Sequence, residues 1–154
     1  MNRIAQREAE LIDSDAFLPL MLSLEGDVTE TAGSNFFIVT GGKLVTAPTS
    51  QVLDGVGRVT TFEIASQLGI EVVAKRYQLY DVFNADEVFI TSTPFVLLSV
   101  SKVNQTTIGD GCPGPITGRI LKPWNGVAGI DIRGQALAHL DNEACEDSKQ
   151  FHPP

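Results

Sequence analysis

Short runs of apolar and β-branched residues dominate the first two-thirds of the chain, and glycine, proline or polar residues separate them. Residues 35–40 (NFFIVT) and 43–46 are typical of two neighbouring strands, because the Gly41-Gly42 dipeptide between them can form a tight hairpin turn. The same pattern predicts further strands at 17–24, 28–30, 70–74, 87–90 and 95–103.

Helical spacing of apolar residues is found between several of these strands. It predicts helices at 3–12, 60–68 and 77–83, and another from residue 116 that Pro123 and Gly126 kink or break before a final piece at 130–140. Gly69 is a natural stop for the second helix. We therefore expect a mixed fold, α+β or α/β, for residues 1–140, followed by an acidic and flexible tail at 141–154.

The length and composition are those of one globular domain. The chain has 154 residues, of which 43% are hydrophobic and 19% charged, and its net charge is −8. This acidic balance argues against a nucleic acid partner, which requires clustered Lys and Arg, and against an anionic membrane surface. The longest apolar stretch, 16–24, is too short to span a bilayer, and residues 1–10 lack the apolar core of a secretory signal. A soluble cytoplasmic protein is expected.

The cysteines and histidines are too few and too scattered to predict a metal site. Cys112 and Cys145 are the two cysteines, and no CxxC motif is present. Their expected state is that of two unpaired thiols in a reducing compartment. His139 is expected on a helix face, and neither it nor His152 belongs to a cluster with metal-ligand spacing.

Three loops carry residues that could hold an anion and an aromatic ring. Gly55-Val56-Gly57 precedes a predicted helix, where free N–H groups can bind phosphate, and Thr91-Ser92-Thr93 offers three hydroxyls. Glu30 stands at a predicted strand end, where a carboxylate can keep a pyridine nitrogen protonated. Each feature alone is also compatible with an ordinary loop or with a solvated acid.

Together and in this order, the loops resemble the class IV pyridoxal-phosphate (PLP) aminotransferases. That family includes branched-chain amino acid aminotransferases, D-amino acid aminotransferases and aminodeoxychorismate lyase. The matching stretches are VTETAGSNFFIV with the GGKL hairpin, VLDGVGR, LGIEVV, ADEVFITST and IGDGCPGPIT. The resemblance implies the C-terminal, cofactor-binding domain of the D-amino acid aminotransferase-like fold, with the strands in a closed or pseudo-barrel sheet flanked by helices.

On the phosphate side, the resemblance assigns three residues. Val56 and Gly57 match the positions whose backbone amides hold the phosphate, and Thr93 looks like the hydroxyl that also binds it. The family usually has Thr or Ser where this chain has Gly57, so one side-chain hydroxyl is lost while the backbone amide remains.

On the ring side, the resemblance assigns three more. Glu30 looks like the carboxylate that pairs with the pyridine nitrogen, and Leu53 corresponds to a side chain that packs against the ring. Ser92 matches a position near the substrate carboxylate at which the family usually has glycine. Thr31 also replaces a usual glycine, and the Pro94-Phe95 pair removes an N–H and adds bulk to the same loop.

The resemblance implies that the catalytic lysine is missing from this sequence. The family's Schiff-base lysine precedes its glutamate by more residues than the 29 that precede Glu30 here, and none of those 29 is lysine. The five lysines of the chain lie in segments that match other parts of the family, and the small N-terminal domain of the family has no counterpart. No catalytic residue is therefore predicted.

Several functions remain open at this point. The parent activity would be amino-group transfer between an amino acid and a 2-keto acid, and the chain is expected to be a truncated relative that is inactive by itself. It could still retain PLP without a covalent bond. The alternatives are a non-catalytic module that acts by association, as a homo-oligomer, and a gene fragment without independent activity.

Overall fold

A computed structural model of the protein describes residues 2–12, 18–111 and 113–129. The helices are α1 (Asn2–Ile12), α2 (Val56–Gln67), α3 (Leu79–Phe83) and α4 (Pro115–Ala128). The strands are β1 (Leu20–Leu22), β2 (Val28–Thr31), β3 (Asn35–Thr40), β4 (Lys43–Thr46), β5 (Val72–Ala74), β6 (Glu87–Ser92), β7 (Val96–Ser99), β8 (Lys102–Val103) and β9 (Thr106–Thr107).

The largest sheet has five strands in the order β5-β4-β3-β6-β7. β3 lies at its centre and pairs antiparallel with both β4 and β6, whereas β4 and β5 run parallel. Two small sheets, β1-β2 and β8-β9, complete the strands of the described residues. The predicted fold class, a mixture of helices and strands, is confirmed. The expected closed or pseudo-barrel sheet is wrong for these residues, because the five-stranded sheet is open, with β5 and β7 as its edges.

Both faces of the central strand β3 are buried. Phe36 and Ile38 face one core cluster together with residues of α3 and of the small sheets, while Phe37 and Val39 face a second cluster under α2 and α4. Successive side chains of a strand point to opposite faces, so a run of apolar residues without alternation is what a strand covered on both sides requires.

The start of α2 differs from the prediction. The helix begins at Val56, four residues before the predicted position, and Gly57 and Arg58 lie buried in its first turn. Apolar periodicity could not reveal this turn, because its buried side carries a glycine and a cation. The turn is held instead by polar contacts, among them the hydrogen bond from Thr61 Oγ1 to the Gly57 carbonyl at 2.7 Å.

Other boundaries shift for local reasons. The strand predicted at 95–103 is interrupted, and it forms β7 and β8. α4 continues through Pro123, where it loses one helical hydrogen bond, because Ile120 and Trp124 on either side of the proline are buried against the sheet. The predictions for residues 13–17, Cys112, the helix at 130–140, the tail at 141–154 and both histidines lie outside the described residues.

The start of α4 is closed by a carboxylate from β6. Glu87 is buried, and its two oxygens accept hydrogen bonds from the backbone N–H groups of Ile116 at 2.9 Å and Thr117 at 2.7 Å. These donors have no acceptor within the helix, so the carboxylate satisfies them and complements the positive end of the helix. Gly114 makes room for it, since a Cβ there would overlap the Glu87 carboxyl group.

Replacing Gly114 with alanine is expected to lower the free energy of unfolding by about 2 kcal/mol, because the new methyl group displaces Glu87 from the helix start. Urea denaturation measures this change. Gly118→Ala is the control: Gly114 is the N-cap residue of α4 and Gly118 lies inside the helix, where no atom outside the helix backbone comes within 4 Å of an added Cβ, so the variant should be neutral or slightly stabilising. Equal losses in both variants would contradict the role of Glu87.

Membrane-spanning helices and metal sites are both absent from the residues that the structure describes. None of the described helices is long and apolar enough to cross a membrane. Within 2–12, 18–111 and 113–129, no group of three or more His, Cys, Asp or Glu side chains is placed to hold a metal ion.

Candidate functional site

The site residues collect where three segments of the chain meet. β2 ends at Thr31 and β3 begins at Asn35, which pairs with Thr91 near the end of β6. The loop that leads into α2 reaches the start of β3, because its Leu53 carbonyl accepts a hydrogen bond from Asn35 Nδ2 at 2.9 Å. Strand pairing therefore joins positions that are distant in the sequence.

Glu30 presents a half-buried carboxylate at this junction. Its Oε2 accepts hydrogen bonds from Asn35 Nδ2 at 3.2 Å and from the backbone N–H of Leu53 at 3.3 Å. Burial raises the pKa of Glu30 above its ordinary value, while the Leu53 N–H group and the positive charge of Arg58 act in the opposite direction. The carboxylate is thus oriented through one oxygen.

The first turn of α2 approaches its neighbours so closely that side chains are excluded. A Cβ on Gly55 would lie 2.5 Å from Asn35 Oδ1, and one on Gly57 would lie 3.0 Å from Thr91 Cβ and 3.1 Å from its Oγ1. The N–H groups of a first helical turn have no acceptor within the helix and are available to an anion. The backbone of Gly57 and the side chain of Thr91 therefore lie next to each other.

Two of the three predicted hydroxyls belong to β6 and are buried. Thr91 Oγ1 and Ser92 Oγ have no hydrogen-bond partner among the described residues, whereas Thr93 is exposed in the turn that follows. Neither buried oxygen is accessible to solvent, so the exposed hydroxyl of Thr93 is the one of the three that an incoming phosphate could reach. The prediction that Thr91 belongs to a loop is wrong, since the strand extends through Ser92.

The turn after Ser92 is strained. Ser92 pairs with Val96, whose φ of 64° lies in the left-handed region that β-branched residues rarely adopt. Pro94 lies exposed in the turn, and Phe95 is half-buried. The loop that was expected to depart from the family pattern is thus also irregular in its backbone.

Arg58 is the most deeply buried charged residue beside the site, with 1% of its surface exposed. It donates to the Ala47 carbonyl at 2.8 Å and to Asp54 Oδ1 at 3.1 Å, and its guanidinium lies 4.6 Å from the centre of the Phe62 ring. Burial lowers the pKa of Arg58, and the charges of Asp54 and Glu30 oppose that shift. Sequence reasoning missed this residue.

The predicted residues come together in part. Glu30 and Leu53 are in direct contact, Val56 and Gly57 form the first turn of α2, and the side chains of Leu53 and Val56 are each 74% exposed. Sequence reasoning missed Asn35, although a polar residue that opens an otherwise apolar strand was a usable signal. A cavity of about 320 Å³ lies elsewhere, between β4 and α3, and none of the predicted residues lines it.

Comparison with known proteins adds an independent finding. A family model described as amino-transferase class IV matches residues 2–103. A branched-chain-amino-acid aminotransferase of Pseudomonas aeruginosa is 32% identical over 132 residues, which are 86% of this chain and 42% of that protein. A D-alanine aminotransferase of Bacillus licheniformis is 33% identical over 106 residues, or 68% of this chain and 37% of that protein.

Solved structures agree with these matches. The branched-chain amino acid aminotransferase from Escherichia coli superimposes with a TM-score of 0.77 at 31% identity, covering 82% of this chain and 42% of the other. The T.th. branched-chain amino acid aminotransferase with pyridoxamine 5′-phosphate gives a TM-score of 0.77 at 33% identity, covering 83% and 42%. The chain thus spans about two-fifths of the length of these relatives.

Proposed function

The chain belongs to the amino-transferase class IV family, and we propose that it carries the phosphate- and pyridine-binding half of a PLP site. One observation supports this above the others. The half-buried Glu30 carboxylate is tied by a hydrogen bond to Leu53, three residues before α2, and the N–H groups of the first turn of α2 have no acceptor within the helix and can hold an anion. An acid and an anion site are therefore held at one junction.

Each residue would have a separate task toward the cofactor. Glu30 would hold a proton at the pyridine nitrogen, and the exposed side chain of Leu53 would pack against the ring. The N–H groups at the start of α2, with the exposed hydroxyl of Thr93, would hold the phosphate. Ser92 would lie near the substrate carboxylate. When bound, this cofactor supplies an electron sink for chemistry at an amino acid's α-carbon.

Amino-group transfer also needs a lysine that binds the cofactor covalently and moves a proton. Lys43 does not offer this group, because it lies beside the Gly41-Gly42 turn, at the end of the β3-β4 hairpin opposite Asn35, where its Nζ pairs with Glu71 at 2.8 Å. No lysine occurs among the 29 residues before Glu30. We therefore propose that these 154 residues by themselves do not transfer amino groups between an amino acid and a 2-keto acid.

Two measurements test the proposal. Titration of the chain with pyridoxamine 5′-phosphate, followed by absorbance, should show saturable binding that is weaker for pyridoxamine without phosphate. A coupled assay with branched-chain amino acids or D-alanine and a 2-keto acid should show no transfer above the rate of free PLP. Absence of binding at millimolar ligand would contradict the cofactor site, and transfer at enzymatic rates would contradict the inactivity.

A second candidate function is association through an apolar surface, as a homo-oligomer. α1 carries apolar side chains on its outside, with Ile4 67% and Leu11 80% exposed. Ile4 and Leu11 are seven residues apart and therefore lie on one face of the helix, and large contiguous apolar patches mark interaction sites. Size-exclusion chromatography with light scattering tests this function, which predicts a defined oligomer and fails if the chain is a monomer at micromolar concentration.

A further inference from the structure

Asn35 joins three segments of the site through one side chain. It is the first residue of β3 and is buried, and its Nδ2 donates to Glu30 Oε2 at 3.2 Å and to the Leu53 carbonyl at 2.9 Å. The Leu53 N–H donates to the same Oε2 at 3.3 Å. The three residues therefore close a ring of hydrogen bonds between the end of β2, the start of β3 and the loop before α2.

We infer that Asn35 is a positioning residue, which fixes the Glu30 carboxylate relative to the anion-binding start of α2. The inference rests on the function proposed above. The hydrogen bonds from Asn35 and Leu53 both end on Oε2 of Glu30, so Oε1 is the oxygen that can face a ring nitrogen. The other bond of the amide holds Leu53, only three residues before α2 begins.

The chemistry of the position favours an asparagine. The amide supplies two N–H donors without a charge, so it orients the Glu30 carboxylate without neutralising it, whereas Lys or Arg at position 35 would compete with a protonated ring nitrogen. Its other end is also confined, because Asn35 Oδ1 lies only 2.5 Å from the position that a Cβ of Gly55 would take. Gly55 thus gives Asn35 the room to bridge.

A double-mutant cycle tests whether Asn35 acts through Glu30. Pyridoxamine 5′-phosphate binding is measured for the wild-type chain, Asn35→Leu, Glu30→Ala and the double variant. Asn35→Leu is expected to weaken binding about 10-fold, the effect of a lost hydrogen bond to a charged group, and to have less than about a 2-fold effect when Glu30 is already alanine. Equal losses in both backgrounds would overturn the inference, because a merely structural role is additive.

A second measurement needs no cofactor. The pKa of the Glu30 carboxyl group is followed by 13C NMR in the free chain, where Asn35→Leu should raise it further because a donor to the charged form is lost. Asn35→Asp preserves the side-chain shape, so it serves if the leucine variant does not fold, and it should raise the same pKa through like charge. Asn84→Leu is the control, since Asn84 is exposed and its Nδ2 donates to the Tyr80 carbonyl at 2.7 Å, four residues before it in the sequence.

The two measurements separate the two proposals. A wild-type chain that binds no pyridoxamine 5′-phosphate overturns the cofactor site, and the NMR titration still decides whether Asn35 acts on Glu30. A Glu30 pKa that is unchanged in Asn35→Leu and Asn35→Asp overturns the role of Asn35, even if the wild-type chain binds the ligand. A raised pKa with coupled binding supports both.

Discussion

Replacing Arg58 with alanine is expected to lower the free energy of unfolding by about 3 kcal/mol, or more if the cavity does not close. The side chain is almost fully buried, so its removal leaves a void beside Phe62 and an unpaired Ala47 carbonyl. Denaturant titration measures the loss. Arg58→Lys should recover only part of it, because an ammonium group cannot stack on a ring and bridge two acceptors in a plane.

Arg119→Ala provides the comparison for Arg58. Arg119 also donates to a backbone carbonyl, that of Leu68 at 3.1 Å, but it is exposed, so water replaces the lost contact. Its change should stay within about 0.5 kcal/mol. If the two alanine variants were equally stable, burial of the Arg58 guanidinium would not be a source of stability.

Replacing Glu30 with glutamine is expected to weaken pyridoxamine 5′-phosphate binding about 10- to 100-fold, the range for loss of a charge-assisted hydrogen bond. Glutamine keeps the shape of Glu30 and can still accept from Asn35 and Leu53, so the loss isolates the charge. Wild-type affinity should fall as the pH drops through the pKa of Glu30, because the carboxylate becomes neutral. The glutamine variant should not show that step.

The same substitution should stabilise the free chain at neutral pH. Burial raises the pKa of Glu30 above its ordinary value of 4.5. Stability from protonated Glu30 is present below that ordinary pKa and is lost as the pH rises through the raised value. Glu30→Gln should therefore melt at a higher temperature than wild type at pH 7 but not at about pH 3, below the ordinary pKa of a glutamate.

The binding measurement can refute the role assigned to Glu30. It would do so if Glu30→Gln bound pyridoxamine 5′-phosphate as tightly as the wild-type chain does.

Local signals were sufficient for the hairpin of β3 and β4. Its bounds agree with the prediction, because the apolar runs are short and Gly41 and Gly42 adopt the positive φ values, 57° and 77°, that the turn needs. The start of α2 could not be predicted from local sequence signals. Its first turn is stabilised by burial of Arg58 and by the contact of Gly57 with Thr91, and both depend on residues far away in the sequence.

The candidate site likewise combines residues that the sequence predicted with residues that it did not. The resemblance placed Glu30 and Leu53 together, and the structure brings them into hydrogen-bond contact. Asn35 was missed as a site residue, and Thr91 was predicted as a loop hydroxyl rather than as a strand residue beside Asn35, because their proximity arises only when β3 pairs with β6. A single sequence does not state which strands pair. Residues whose role depends on that pairing are therefore the last to be found.

The contact between Gly57 and Thr91 has a mechanical consequence. A helix start and a strand end meet there with no intervening side chain, so neither can shift without carrying the other. The close approach that favours glycine at position 57 therefore couples the start of α2 to the end of β6, so that a displacement of one element is transmitted to the other.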